Sequence, residues 1–166
     1  NNDVIWRTVE PNDAERRARL AVEFVERFKD EPMIYADYVY PAVRSTLEAL
    51  RARGILTALA SSSPRKFIDR FLDETGLTEL FDYTVSGEEC ENHKPAPDVY
   101  LRAMEALGVH PDEVLVVEDS PLGIAAGRAA GAFVLAPSVP SAPNVDQSEA
   151  DACIEGLDQV LEYLER

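Results

Sequence analysis

From residue 55 onward the chain alternates strand-length apolar runs with helix-length amphipathic segments, and few architectures accept that pattern. The sharpest run is Val114 to Glu118 (VLVVE). Ile55 to Ala60, Phe81 to Ser86, Ala132 to Ala136 and Ala152 to Ile154 are weaker relatives of it. Nearly continuous apolar runs, rather than alternating ones, belong to strands covered on both faces. Between them lie helical stretches with helix signals at their ends. One runs from Pro64, with Phe67, Ile68, Phe71 and Leu72 on one side and Gly76 beyond its end. A second spans 95–107 and is stopped by Gly108, and a third opens at Ser120-Pro121 and stops at Gly131. Residues 157–164 form the last, after a loop over 137–149 that holds three prolines. Strand, helix, strand in repetition predicts one parallel sheet with helices on both faces.

The first 40 residues break the pattern. Residues 13–29 carry Leu20, Phe24, Val25 and Phe28 at helical spacing, and Asn12 or Asp13 can cap the start. Residues 30–40 hold Pro32 and several tyrosines and are expected to connect. Pro41 opens a second helix with a Val43, Leu47, Leu50 stripe, ended by Gly54. Helix without strand suggests a separate layer over 1–40, with the α/β part over 41–166.

Charge narrows the partners. Asp and Glu number 31 against 16 Lys and Arg, a formal charge of −15. Such a surface repels nucleic acid and anionic lipid, and no apolar run reaches the ~18 residues of a membrane span. Cys90 and Cys153 lack CxxC spacing, so two free, partly buried thiols in a reducing, cytoplasmic setting are expected. An anionic substrate would need a metal or a local cation to draw it in.

In open parallel sheets ligands bind beyond the carboxyl ends of the strands. Ser61-Ser62-Ser63 follow the first strand, Lys94 lies in the loop after the second, and Glu118-Asp119-Ser120 follow VLVV. Each has a plain structural alternative. Ser63 and Ser120 precede prolines and suit helix N-caps, a single lysine is usually solvated, and adjacent acids suit a helix start. Together they place a hydroxyl, an ammonium and two carboxylates on one rim. Glu118 also continues a buried strand, where a carboxylate requires a partner. Carboxylates there suit Mg²⁺, while Ser61, Lys94 and free amides after Ser62 suit phosphoryl oxygens. That is the equipment of phosphoryl transfer apart from a nucleophile.

ALASSS (58–63), HKPAPDVYL (93–101) and VVEDSPLGIAAGRAAG (116–131) resemble, in order and spacing, the second, third and fourth motifs of the haloacid dehalogenase-like superfamily. The branch they are most similar to contains β-phosphoglucomutase and many small sugar-phosphate phosphatases. The resemblance implies a Rossmann-like α/β core and Mg²⁺ as cofactor. It also implies that Ser61 and Ser62 bind phosphate, Lys94 bridges phosphoryl group and nucleophile, and Glu118 and Asp119 hold the metal. The substrate would be a small phosphorylated metabolite, and residues 1–40 would correspond to the C-terminal part of a helical cap.

The superfamily's first motif, Asp-x-Asp-x-Thr/Val, supplies the nucleophile, and no Asp-x-Asp occurs in these 166 residues. The sequence also begins with Asn1 rather than Met. The expectation is therefore a phosphatase whose aspartate, with the first, central strand of the core and the first half of the cap, lies upstream, with the 166 residues alone inactive. A phosphomutase using the same residues and an inactive fragment or pseudoenzyme are the alternatives. A receiver-type signalling domain would order acids, hydroxyl, lysine, whereas here the order is Ser61, Lys94, Glu118-Asp119. A metal-free dehalogenase would leave the acid pair without a purpose. Lys66, Arg65 and His93 lie near the motifs and read more simply as exposed loop residues. No motif speaks to oligomeric state.

Overall fold

The computed structural model describes residues 10, 12–28, 34–139 and 144–164. They fall into two units, Asn1–Ile34 and Tyr35–Arg166. In the first, helix α1 (Ala14–Phe28) begins where the Asp13 carboxylate accepts the Arg16 amide at 2.9 Å. Asp13 rather than Asn12 is thus the residue that offers a side chain to an otherwise unpaired amide of the first turn. Val22 and Phe24 of α1 are more than half exposed. The side chains of Val25 and Phe28 lie outside the described residues.

The second unit is α/β. Its strands are β1 (Ala58–Ser61), β2 (Tyr83–Ser86), β3 (Leu115–Val117), β4 (Phe133–Pro137) and β5 (Ala152–Ile154). Its helices are α2 (Val43–Ala52), α3 (Arg65–Thr75), α4 (Asp98–Leu107), α5 (Pro121–Ala129) and α6 (Val160–Tyr163). Every pairing is parallel. The strands do not form the single sheet expected from the alternation: β1 pairs with β2, and β3-β4-β5 form a second sheet. Among the described residues no strand hydrogen-bonds to both inner edges, so the sheet is divided between β1 and β3.

Several boundaries differ from the sequence reading for local reasons. Helix α2 starts two residues after Pro41, because Ala42 takes a left-handed φ of 64° in the turn before it. At its other end Gly54 (φ 71°) donates its amide to the Arg51 carbonyl and Ile55 donates to Leu50. This double closure terminates the helix and takes Ile55 out of the strand. The Thr57 amide is then taken by the Asp82 carboxylate at 2.8 Å, so β1 begins at Ala58. Helix α4 begins at Asp98, after a turn in which the Ala96 amide bonds the His93 carbonyl. The C-terminal stretch divides into a 3-10 turn (Leu157–Gln159) and α6.

Helices cover both faces. Val99, Tyr100, Ala103 and Met104 of α4 and Ile124 and Ala126 of α5 pack with Val85, Val116 and Val134. Ile68 and Leu72 of α3 pack with Leu77, Leu47, Leu59 and Phe81. Each fully buried aliphatic chain such as Ile124 contributes about 1.5–3 kcal/mol. Helix α5 approaches closely at Gly127, where an added Cβ would stand 2.9 Å from a Val134 methyl. Of the cysteines, Cys90 is partly buried, but Cys153 on the short strand β5 is exposed, contrary to expectation.

Candidate active site

Three strand ends bring polar groups together. Ser61 closes β1, and its Oγ accepts the Ser63 amide at 3.1 Å. Ser63 does not cap α3 as expected. The Arg65 amide is instead accepted by the Glu88 carboxylate at 3.0 Å, and the Ser63 carbonyl accepts the Ser86 hydroxyl at 2.7 Å. Ser86 is fully buried and accepts the Glu88 amide, so the loop after β2 holds the loop after β1 in place. At Gly87 a Cβ would stand 3.2 Å from the Ser62 Cα and 3.3 Å from His93 Nδ1, which shows how closely these loops pack. Ser62 is exposed beside half-buried Ser61.

Lys94 reaches back from the second loop into the interior. Its Nζ donates to Glu118 Oε2 at 2.6 Å, to the Tyr100 hydroxyl oxygen at 2.8 Å and, more distantly, to the Ala60 carbonyl at 3.5 Å. The Lys94 and Glu118 side chains are only 10% and 13% exposed, so both ions are largely stripped of water and depend on each other. Tyr100 donates its proton to Glu118 Oε2 at 2.8 Å. The other oxygen, Oε1, accepts the amides of Asp119 and Ser120 at 3.1 Å each and the Ser120 hydroxyl at 2.9 Å. Burial pushes the Glu118 carboxyl up, but the Lys94 ammonium, the Tyr100 hydroxyl and the Ser120 amide outweigh it and hold the group at about 2. The Tyr100 phenol is raised by burial and by the Glu118 charge. Gly123 makes room for this carboxylate: a Cβ there would lie 2.0 Å from Glu118 Cδ and 2.1 Å from Oε2. Ser120 caps α5 as expected, accepting the Gly123 amide at 3.1 Å.

Asp119 is held differently. Its Oδ2 accepts the Tyr40 hydroxyl at 3.1 Å, and the Tyr40 phenol is raised by burial and by the Asp119 charge. The Asp119 carbonyl accepts Gln147 Nε2 at 2.9 Å, and the same amide group donates to the Pro137 carbonyl at 3.0 Å. The two acids therefore differ as metal donors. Glu118 accepts five hydrogen bonds against the roughly four lone-pair sites of a carboxylate. Asp119 accepts one side-chain bond, and both acids border an open apolar cavity of about 340 Å³. A hard cation such as Mg²⁺, held by one or two carboxylates with waters and substrate oxygens completing the shell, fits Asp119. Glu118 as arranged is occupied by protein donors.

Ser61, Lys94, Glu118 and Asp119 are thus brought to one rim. Arg65, expected to be exposed, is instead tied to Glu89 at 2.5 Å and to Thr84 at 2.9 Å, which joins α3 to β2. Lys66 lies over the Phe67 ring, and His93 is exposed. Sequence reasoning did not single out Tyr40, Tyr100, Gly123 or Gln147. Tyr100 and Gly123 lie inside motifs already quoted, whereas Tyr40 and Gln147 carry no local signal.

Residues 1–136 match the haloacid dehalogenase-like hydrolase family, and the chain belongs to it. Among curated proteins it is 28% identical over 153 residues to the phosphoglycolate phosphatase of Escherichia coli K12, covering 91% of this chain and 61% of that protein. It is 40% identical over 91 residues to the phosphorylated carbohydrates phosphatase of Thermotoga maritima, covering 55% of this chain and 42% of that protein. The fold superposes on the β-phosphoglucomutase of Clostridium difficile with a TM-score of 0.70 at 24% identity, over 94% of this chain and 68% of that one. The chain thus spans about three fifths of the length of the phosphoglycolate phosphatase it matches.

Proposed function

We propose that this chain forms the greater part of a Mg²⁺-dependent phosphatase for a small phosphorylated metabolite, with a sugar phosphate or phosphoglycolate as the leading substrates. The observation that carries the reading is the buried Lys94–Glu118 pair, set at the same strand ends as Ser61 and Asp119. Lys94 presents a fixed ammonium, and the Ser61 hydroxyl with nearby amides supplies donors for phosphoryl oxygens. Glu118 holds Lys94 in place and balances its charge. Asp119 and, if freed from its donors, Glu118 would hold Mg²⁺, which when bound offsets phosphoryl charge. The attacking carboxylate is assigned to an aspartate in a segment preceding Asn1, which forms an aspartyl-phosphate that water then hydrolyses. Residues 1–40 are assigned to the C-terminal part of a helical cap.

The test is phosphate release from phosphoglycolate and a panel of sugar phosphates, with and without Mg²⁺. It compares the 166-residue chain with the chain extended by its upstream segment. The extended form is expected to turn over at least one substrate with Mg²⁺, and Lys94→Ala is expected to abolish that activity. The 166 residues alone are expected to release none. Transfer of phosphate between sugar hydroxyls without net release would redirect the assignment to a phosphomutase. No activity of either kind in the extended form would reject the reading.

A further inference from the structure

We infer that Ser86 is a positioning residue for the phosphoryl-binding loop 61–63, acting on it through the peptide groups of Ser63. The inference rests on the phosphatase reading of Ser61 and adds the residue that keeps that hydroxyl aimed. Ser61 and Ser86 are register partners at the ends of β1 and β2, yet their surroundings differ. Ser61 is half-buried and Ser62 and Ser63 are exposed, whereas Ser86 is fully buried. A short exposed loop has few contacts of its own to hold one shape. Its order has to come from the segment it rests on.

Ser86 supplies that support with a hydroxyl whose direction is fixed. Its Oγ accepts the Glu88 amide at 3.2 Å and gives its one proton to the Ser63 carbonyl at 2.7 Å. Residue 63 is then held at both of its peptide groups, because its amide donates to Ser61 Oγ at 3.1 Å. That amide occupies one acceptor position on Ser61 Oγ, so the Ser61 proton points away from it and is available to a phosphoryl oxygen. A donor oriented before the substrate arrives costs no reorganisation during the reaction. Further ties keep the frame from shifting. The Arg65 amide is accepted by Glu88 at 3.0 Å, the Arg65 guanidinium reaches the Thr84 carbonyl at 3.0 Å and Glu89 Oε1 at 2.5 Å, and the same Glu89 oxygen accepts the Ser86 amide at 3.4 Å. Gly87 lets the two loops close up, since a Cβ there would stand 3.2 Å from the Ser62 Cα. Removing the Ser86 hydroxyl leaves the Ser63 carbonyl and the Glu88 amide without this partner and frees residue 63. Ser61 then loses the amide that orients it, and a displacement of about 1 Å at such a group costs up to about 100-fold in rate.

The test uses the chain extended by its upstream segment and three variants of it: Ser86→Ala, Gly87→Ala and, as a control for destabilisation away from the loop, Gly127→Ala. Each is studied at a temperature where circular dichroism shows it folded. Binding of inorganic phosphate with Mg²⁺ present is measured by isothermal titration calorimetry, and kcat and KM on a phosphorylated substrate that the parent turns over. In Ser86→Ala, phosphate affinity is expected to fall at least about fivefold and kcat at least about tenfold, with KM rising by a smaller factor. The Ser63 amide is expected to exchange with deuterium at least about tenfold faster. Gly87→Ala keeps the Ser86 hydroxyl but presses on Ser62, so its phosphate affinity is expected to fall too, and it decides the question if Ser86→Ala does not fold. Gly127→Ala is expected to lower Tm and leave phosphate affinity and kcat at the parental values. Parental phosphate affinity and kcat in the folded Ser86→Ala chain, or in Gly87→Ala where that chain does not fold, would overturn the inference whatever happens to Tm. An equal loss in Gly127→Ala would overturn it as well, since the effect would then be one of general stability. So would a parent that binds no phosphate. A parent that binds phosphate but releases none from any substrate counts against the phosphatase reading alone, and the affinity comparison still decides the role of Ser86.

Discussion

Gly123→Ala separates local helix preference from the demands of the site. Gly123 lies in the first turn of α5, where glycine is normally the poorer residue and alanine gains up to about 1 kcal/mol. Here the added methyl would fall 2.0 Å from Glu118 Cδ and 2.3 Å from Cγ, well inside van der Waals contact. The glutamate must move, and it is fixed by Lys94, Tyr100 and Ser120. Displacing it leaves a largely buried ammonium without its counter-charge, a loss of about 3–5 kcal/mol when such pairs are broken. The net expectation is destabilisation by about 2–4 kcal/mol, or roughly 4–16 °C in Tm for a chain of this size. Urea denaturation followed by circular dichroism at pH 7 measures it. Acidity supplies a second readout. The Glu118 carboxyl is held at about 2, below its ordinary 4.5, so the stability it contributes is complete above about pH 4.5 and is lost as pH falls through 2. The variant has already lost that contribution, so the difference from the parent should narrow as pH falls from 5 towards 2. A Gly123→Ala chain as stable as the parent, or a deficit that does not change with pH, would refute the account of the Glu118 cradle.

Three further outcomes follow from the same contacts. Gly127→Ala brings a methyl to 2.9 Å from Val134 and 3.2 Å from Val116, so overpacking should cost about 1–3 kcal/mol with no pH dependence between 5 and 3, a direct contrast in the same denaturation assay. Glu118→Gln and Lys94→Met should each destabilise by about 3–5 kcal/mol, while the double variant should lose less than their sum, because neither ion is then left buried alone; additive losses would show that the pair is not coupled. Tyr40→Phe removes the donor to Asp119 at 3.1 Å and should weaken Mg²⁺ affinity of the extended protein roughly 10-fold or more with little effect on folding; unchanged affinity by isothermal titration calorimetry would separate Asp119 from the metal.

What was legible in the sequence was the succession of strands and helices along the chain and the groups that follow each strand. Apolar runs with capped ends specify parallel strands, and the rule that ligands meet strand carboxyl ends pointed to Ser61, Lys94 and Glu118-Asp119. Boundaries shifted where a side chain or a glycine settled the backbone first, as at Gly54-Ile55 and at Thr57 with Asp82. Ser63 failed as a cap because Glu88, 23 residues away from the amide it accepts, took that role. Tyr40 and Gln147 were invisible because what they contact lies up to 79 residues away along the chain, and no local period encodes such a partner. The division of the sheet was not legible in the periodicity, and only the family resemblance, which implies a further central strand, pointed to it. Periodicity identifies a strand that is covered on both faces, but it does not say what lies along the strand's edges.

The Glu118-Asp119 dipeptide shows how far such a reading can go before geometry must take over. As sequence it is a pair of equivalent acids after a buried strand. Successive side chains at a strand end point to opposite faces, so equivalence ends as soon as the strand forms. Glu118 goes to the side of α4 and α5, where Tyr100, Gly123 and the Ser120 cap enclose it and Lys94 enters as counter-charge. Asp119 goes to the side of Tyr40, with a single side-chain donor. One acid is committed to holding a cation of the protein's own, and the other is left able to hold a cation from solution. In a chain of net charge −15, that division lets a positive centre persist beside an open carboxylate. The sheltered Lys94 is paired with Glu118 rather than with Asp119, so a cation at Asp119 would leave in place the pair that an anionic substrate would meet.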